Sequence, residues 1–348
     1  MDFTFNEDQL LFQESVREFL GNEITPERLR AAWDTDTGRD PALWTQLAEL
    51  GLAGLTVPEE HGGLGMNALD FVLLAQECGY VALAEPLVNH ALAGVPLLQD
   101  LGGALAEAWL PKAATGEARI IAALEQNLLV EDAHVADLLL LERAGQWYAL
   151  TQGEFSLQHN ASVDPSRRLF TVTVNDAVQP VASGDQARRL RLATLNRGAL
   201  GCAAQALGLA QRMVDMSVLY TSDRQQFGKP IGSFQAVKHH LANVAVRLEY
   251  AKAPVHRAAY AVAEDAAGAG QAVSQAKLMA CEAAGLAAKN SIQVHGAMGY
   301  TWEVDLHIFM KKAWALANTW GDAGFHKQQV AGHIFADDAV LGAGATFQ

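Results

Sequence analysis

Apolar positions recur at helical spacing through most of the chain and alternate along one central stretch. Asn6 can cap a first helix carrying Leu10, Leu11, Val16, Phe19 and Leu20. A short helix follows from Pro41 to Leu50, closed by Gly51. Gly62, Gly63 and Gly65 force a loop in LAGLTVPEEHGGLG, and the spacing then predicts helices over 68–78, 85–101 and 104–114. From Ala118 the runs ARIIAALEQ, AHVADLLLLER, QWYALTQ and RRLFTVTVND are short, partly alternating and separated by polar turns, which predicts a small antiparallel β domain ending near residue 180. From Leu190 the helical period returns. One long Ala-rich helix precedes a break at Gly228–Gly232, and further helices are predicted over 233–262, 271–294 and 304–319. Four long helices with short connections predict a bundle. The tail LGAGATFQ is expected to fray. The reading is mainly α with a small β domain: an N-terminal helical domain over 1–117, a reduced middle β domain over 118–189 and a C-terminal helical bundle over 190–348.

Length and composition bound this picture. The chain has 348 residues, half of them hydrophobic, enough for two or three packed units. No run of about 18 residues is free of charge, so no membrane partner is expected. The acidic amphipathic start lacks a basic region and an apolar core, which argues against a secretory signal. Cys78, Cys202 and Cys281 lack metal-type spacing and read as buried thiols of a reducing, cytoplasmic compartment. Adjacent His239 and His240 point about 100° apart on a helix, so no metal site is expected there. A net charge of −14 disfavours nucleic acid, and an anionic ligand would need a local basic patch.

Candidate chemistry concentrates in RQQFGKPIGSFQAVKHHL, Arg224 to Leu241, which reads as helix, tight connection, helix. Such a connection can expose Arg224, Phe227 and Gln235 beside a helix N-terminus. A guanidinium forks onto phosphate oxygens, an aromatic face stacks on a flat ring and an amide hydrogen-bonds. On spacing alone, a helix hairpin with Phe227 in the core and Arg224 solvated is the favoured reading.

The same stretch resembles the acyl-CoA dehydrogenase signature R-x-x-F-G-x-x-I-x-x-F-Q, met here by Arg224, Phe227, Gly228, Ile231, Phe234 and Gln235. QVHGAMGY at Gln293–Tyr300 resembles that family's Q-x-H-G-G-x-G-Y, and PEEHGGLG resembles a loop near its substrate channel. The resemblance implies an acyl-CoA dehydrogenase-like fold and α,β-dehydrogenation of an acyl-CoA, with a carboxylate taking the α proton and FAD accepting hydride. It also implies a flavin contact that crosses between subunits. Here that arm would comprise Arg224, Phe227, Phe234, Gln235, Gln293, Gly296 and Ala297, the last standing where the family has a second glycine.

Three departures qualify the activity. The flavin-holding segment T-E-x-x-A-G-S-D is missing after Glu125 and Gln126. The two positions where the family places its Glu base fall on Trp320 and on Gly198, and an indole only donates. Asp322 and Glu303 are the acids near enough in sequence to be weighed as a relocated base. The resemblance therefore points to a base-lacking subunit of a heteromeric, FAD-dependent acyl-CoA dehydrogenase, completing the flavin site of a related catalytic subunit. Bacterial members with unequal subunits that act on steroid or ring-derived acyl-CoAs have this arrangement. Two other readings stay open: a self-sufficient homo-oligomer with a relocated base, and a flavin-free acyl-CoA-binding scaffold.

Overall fold

The computed structural model describes residues 4–127, 129–337, 339–340 and 342. All but Gly342 of the tail expected to fray lies outside the described residues. The N-terminal part is helical throughout: α1 (Glu7–Glu23), α2 (Pro26–Trp33), α3 (Pro41–Glu49), α4 (Ala68–Tyr80), α5 (Leu87–Asn89), α6 (Val95–Leu101) and α7 (Gly103–Ala114). The Asn6 side chain accepts from the Gln9 N–H and Gln9 answers to the Asn6 N–H, so a reciprocal capping box starts α1. The Asp40 carboxylate caps α3 ahead of Pro41. Helix α2 lies in a segment that carries a Thr25 cap and Pro26 but only two buried positions, Leu29 and Ala32, too few to stand out as a period.

The single helix expected over 85–101 is interrupted. Between α5 and α6 the chain makes a π-helical turn, His90–Gly94, in which every residue is buried. The widened turn faces the first strand. Asn89 both accepts from the Ala122 N–H at 3.0 Å and donates to its carbonyl at 3.1 Å, and His90 Nδ1 accepts from the Ile120 N–H at 3.0 Å. Packing against a strand edge, not local propensity, sets this departure.

The strands are β1 (Ile120–Ala123), β2 (Val130–Glu131), β3 (Leu138–Arg143), β4 (Gln146–Leu150), β5 (Phe155–Asn160) and β6 (Leu169–Val174). They form two sheets, ordered β1-β3-β4 and β2-β6-β5. The expectation of a wholly antiparallel domain is corrected here, because β1 and β3 run parallel, Ile120 opposite Leu138 and Ala123 opposite Leu141. Both strands are buried on both faces, as parallel strands are, and the link between them detours through β2 in the other sheet instead of turning tightly. Ile121, Ala123, Leu139 and Leu141 face the second sheet, whereas Ile120, Ala122, Leu138 and Leu140 join the helical core. The first sheet is thus sandwiched between helices and the second sheet.

The bundle comprises α8 (Gly184–Asp223), α9 (Gln235–Ala263), α10 (Ala269–His295) and α11 (Leu306–Ala317), followed by α12 (Ala323–Ile334). Helix α8 starts earlier than the period suggested, because its first turns are polar and largely exposed. A two-strand ribbon, β7 (Gln225–Gln226) and β8 (Lys229–Pro230), joins α8 to α9. The expected GAMGYT loop is a 3₁₀ turn, Gly296–Tyr300. Among the described residues no helix is long and apolar enough to cross a membrane.

Candidate functional site: an exposed arm and a small chamber

The sequence-predicted residues fall in two places. The first is the end of the bundle where α8 and α10 finish and α9 begins. Arg224 caps α8, its N–H donating to the Tyr220 carbonyl at 2.9 Å and its carbonyl accepting from the Ile231 N–H at 2.8 Å. The ribbon turns at Phe227 and Gly228, with φ of +54° and +77°. Positive φ at both central residues is what a tight two-residue hairpin needs, and Gly228 supplies it without strain. The turn lifts Phe227 into solvent at 91% exposure, which excludes the reading of Phe227 as core. Phe227 meets Phe234 edge-on at 6.0 Å, and the Lys229 ammonium lies 4.4 Å from the Phe234 ring centre. Gln235 is exposed on the first turn of α9.

The second signature segment meets the first through an aromatic contact. Tyr220, one turn before Arg224, stacks on His295 at 4.2 Å, and its hydroxyl donates to the His295 carbonyl. His295 Nδ1–H in turn donates to the Ser291 carbonyl at 2.7 Å. Gln293, Gly296 and Ala297 are exposed beside this stack. All seven arm residues therefore gather at one end of the molecule, six of them exposed and Phe234 half-buried. Arg224 forms no ion pair among the described residues. With Lys229 and Lys238, both exposed, it makes the local basic patch that an overall acidic chain needs for an anionic ligand.

The second place is a chamber between the N-terminal helices, the strands and the bundle. Its walls include Val88, Gly198, Cys202, Gln205, Leu316 and Trp320, and its volume is about 60 Å³. The two family base positions touch each other here. A methyl group built on Gly198 would lie 2.2 Å from Trp320 Cδ2, so the indole rests directly on the bare backbone of α8. Asp322 and Glu303 stand apart from the chamber lining. Asp322 is exposed and caps α12, its carboxylate accepting from the Phe325 N–H at 2.8 Å; Glu303 is exposed next to Trp302.

Several charged residues of this chamber escaped the sequence reading. Glu85, Glu131, Asp132 and Lys312 also line it. Asp132 pairs with buried Arg39, and Glu131 with Arg167 at 3.1 Å. One Glu85 oxygen accepts from the Asp40 N–H at 2.8 Å, the other has no partner among the described residues, and burial pushes the carboxyl up to about 6. Behind Trp320, buried Lys277 donates to the carbonyls of Thr319 and Gly321, and His326 donates to that of Trp320 at 3.0 Å. The detectable signal was a charge inside an apolar helical period, such as Lys277 in AVSQAKLMACEAAG.

Comparison with known proteins bears on the family and the fold. The family models for the acyl-CoA dehydrogenase N-terminal and C-terminal domains match residues 6–117 and 188–335. The acyl-CoA dehydrogenase IpdE2 of Mycobacterium tuberculosis is 33% identical over 309 residues, covering 88% of this chain and 91% of that protein. The protein of the same name from Mycolicibacterium smegmatis is 32% identical over 332 residues, 95% of this chain and 100% of its own. Among solved structures, the ChsE4–ChsE5 complex from Mycobacterium tuberculosis superposes with a TM-score of 0.86 at 23% identity, covering 99% of this chain and 100% of that chain. The Tcur3481–Tcur3483 steroid acyl-CoA dehydrogenase variant does so with a TM-score of 0.84 at 24% identity, covering 93% and 97%. With its fold, its signature segments and relatives along nearly its whole length in agreement, the chain belongs to the acyl-CoA dehydrogenase family, oxidoreductases that act on acyl-CoA thioesters.

Proposed function

We propose that this chain is the base-lacking subunit of a heteromeric acyl-CoA dehydrogenase and completes the FAD site of a related catalytic subunit. The observation that carries this reading is the separation of the arm from the chamber. Gly198 and Arg224 lie on one unbroken helix, so roughly 39 Å separates them at about 1.5 Å per residue. A flavin held by the arm cannot also reach this chain's own base positions, so the arm serves a chamber on another subunit.

The chain's residues fit FAD at the arm and not at its own strands. A side chain at Gly296 would meet nothing within 4 Å, and the Arg224 guanidinium is exposed, so a pyrophosphate can approach both. In this assignment Arg224, Phe227, Gln293, Gly296 and Ala297 contact the dinucleotide, while Phe234 and Gln235 support its adenine end. At the strands, the stub of the missing segment is bonded to its own neighbours. Gln126 Oε1 accepts from Arg191 at 2.7 Å, the Glu125 N–H donates to Glu142 at 3.2 Å, and the Glu125 carboxylate accepts from the Ala144 N–H at 2.8 Å. Bound FAD supplies the hydride acceptor, and the partner supplies the carboxylate base. The relatives named as two-chain complexes and as a steroid enzyme support a heterotetramer acting on a steroid-derived acyl-CoA, and the three free cysteines support a reducing cytoplasmic setting.

The test is an absorption spectrum from about 300 to 550 nm with size-exclusion chromatography, on the chain alone and after co-expression with a related chain that carries a Glu base. A colourless chain that enters a larger yellow complex is expected. A yellow homodimer of this chain alone would overturn the proposal.

A further inference from the structure

We propose that Trp320 is a clamped plug that closes this chain's own chamber against the acyl chain of a CoA thioester. The proposal deepens the base-lacking reading and rests on it for the kind of ligand excluded.

The indole is 5% exposed and lies on Gly198, where even a methyl group would collide with it. The floor is closed as well. A methyl group on Gly201 would lie 2.7 Å from Val88 Cγ1 and 3.3 Å from Leu92 Cδ1. The space left beside Trp320, about 60 Å³, falls well below the roughly 300–1,000 Å³ of pockets that take small-molecule ligands.

The plug is held from behind. Trp320 has φ +57°, a left-handed conformation that a bulky side chain rarely adopts and that persists only where the surroundings enforce it. Three successive carbonyls, those of Thr319, Trp320 and Gly321, are bonded by two buried side chains, Lys277 and His326. His326 Nδ1 accepts from the Ser274 hydroxyl at 3.0 Å, which leaves Nε2–H to donate to the Trp320 carbonyl. The next residue is Gly321 at φ +96°, with Phe325 and His326 packed where a side chain would start. Swinging the indole out by moving its backbone would unbond all three carbonyls.

The experiment compares binding of octanoyl-CoA and free CoA to the full chain by calorimetry, for the wild type, Trp320→Ala and Trp320→Leu. Near-UV circular dichroism of each variant establishes its packing. For the wild type, octanoyl-CoA is expected to bind no more tightly than CoA. For whichever variant keeps its packing, octanoyl-CoA is expected to bind at least tenfold more tightly than CoA. A wild-type preference for octanoyl-CoA of tenfold or more would overturn the plug. So would a packed variant that shows no preference. If neither variant packs, the wild-type comparison alone decides. The readout needs neither flavin nor partner, so failure here leaves the partner-subunit reading standing, and a yellow homodimer would leave the plug standing.

Discussion

At Gly198 a methyl group has nowhere to go, because the Trp320 ring is rigid and buried on every side that matters. Overpacking of this kind costs about 1–3 kcal/mol. Gly198→Ala is therefore expected to lower the free energy of unfolding measured in urea by that amount, and the loss is expected to shrink in a Trp320→Ala background, where the collision is absent. Equal losses in both backgrounds would mean that the two residues do not touch. Lys277 answers to a different rule. Its ammonium is almost fully buried and bonded to the carbonyls of Thr319 and Gly321. Lys277→Met keeps the volume but leaves the buried Thr319 carbonyl without its donor, at about 1–3 kcal/mol. A fall of that order in the free energy of unfolding is expected.

Among the elements, the π turn between α5 and α6 ties the helices to the strands. Strand β1 is an edge, and its outward polar groups are satisfied by the side chains of Asn89 and His90. His90 accepts from Ile120 at Nδ1 and donates to the Ala53 carbonyl at Nε2, a pattern only neutral imidazole can make. Burial lowers its pKa to about 4 from an ordinary 6.5. The sign follows from the protons bound. Unfolded chains take up a proton near pH 6.5 and the folded chain does not until about pH 4, so the contribution is complete above 6.5 and is lost as pH falls from 6.5 through 4. The loss is on the order of 3 kcal/mol. His134 and His326 are lowered in the same way, whereas Glu85 is raised and slopes oppositely. The informative quantity is thus the difference between wild type and His90→Gln, whose amide can keep both bonds. The variant is expected to lose less stability over that window, and parallel curves would remove His90 as the cause.

For the whole molecule, the arm and the chamber sit roughly 39 Å apart along α8, and under the proposed reading function depends on assembly. In a complex with a catalytic partner, Arg224→Ala removes a charge-assisted contact to phosphate, a kind of bond that contributes about 1.5–3 kcal/mol. FAD is expected to be retained roughly 10–100-fold less tightly. Arg224→Lys, which keeps charge but not the planar fork, is expected to fall between. Flavin absorbance per complex after gel filtration reads this directly, and an unchanged ratio for Arg224→Ala would remove Arg224 from the site. Because the contact is an attraction between an exposed cation and a phosphate, it is also expected to weaken as salt rises.

The arm was legible in the sequence because its residues are close along the chain. Arg224 to Gln235 and Gln293 to Ala297 each span a helix end, where local rules for turns and caps operate, and the helical period placed the bundle around them. The break of period at Ala118 marked the strands for the same reason. Three things depended on contacts remote in sequence. The parallel pairing of β1 with β3 follows from burial on both faces. The π turn at His90 follows from an edge strand 30 residues away in the chain. The meeting of Gly198 with Trp320 is the clearest case. Each position reads from sequence only as a lost base, and their separate losses become one closed contact when α8 and the turn before α12 pack together. Local periodicity determines which residues share a helix face, whereas tertiary packing decided which faces meet and how little space they leave between them.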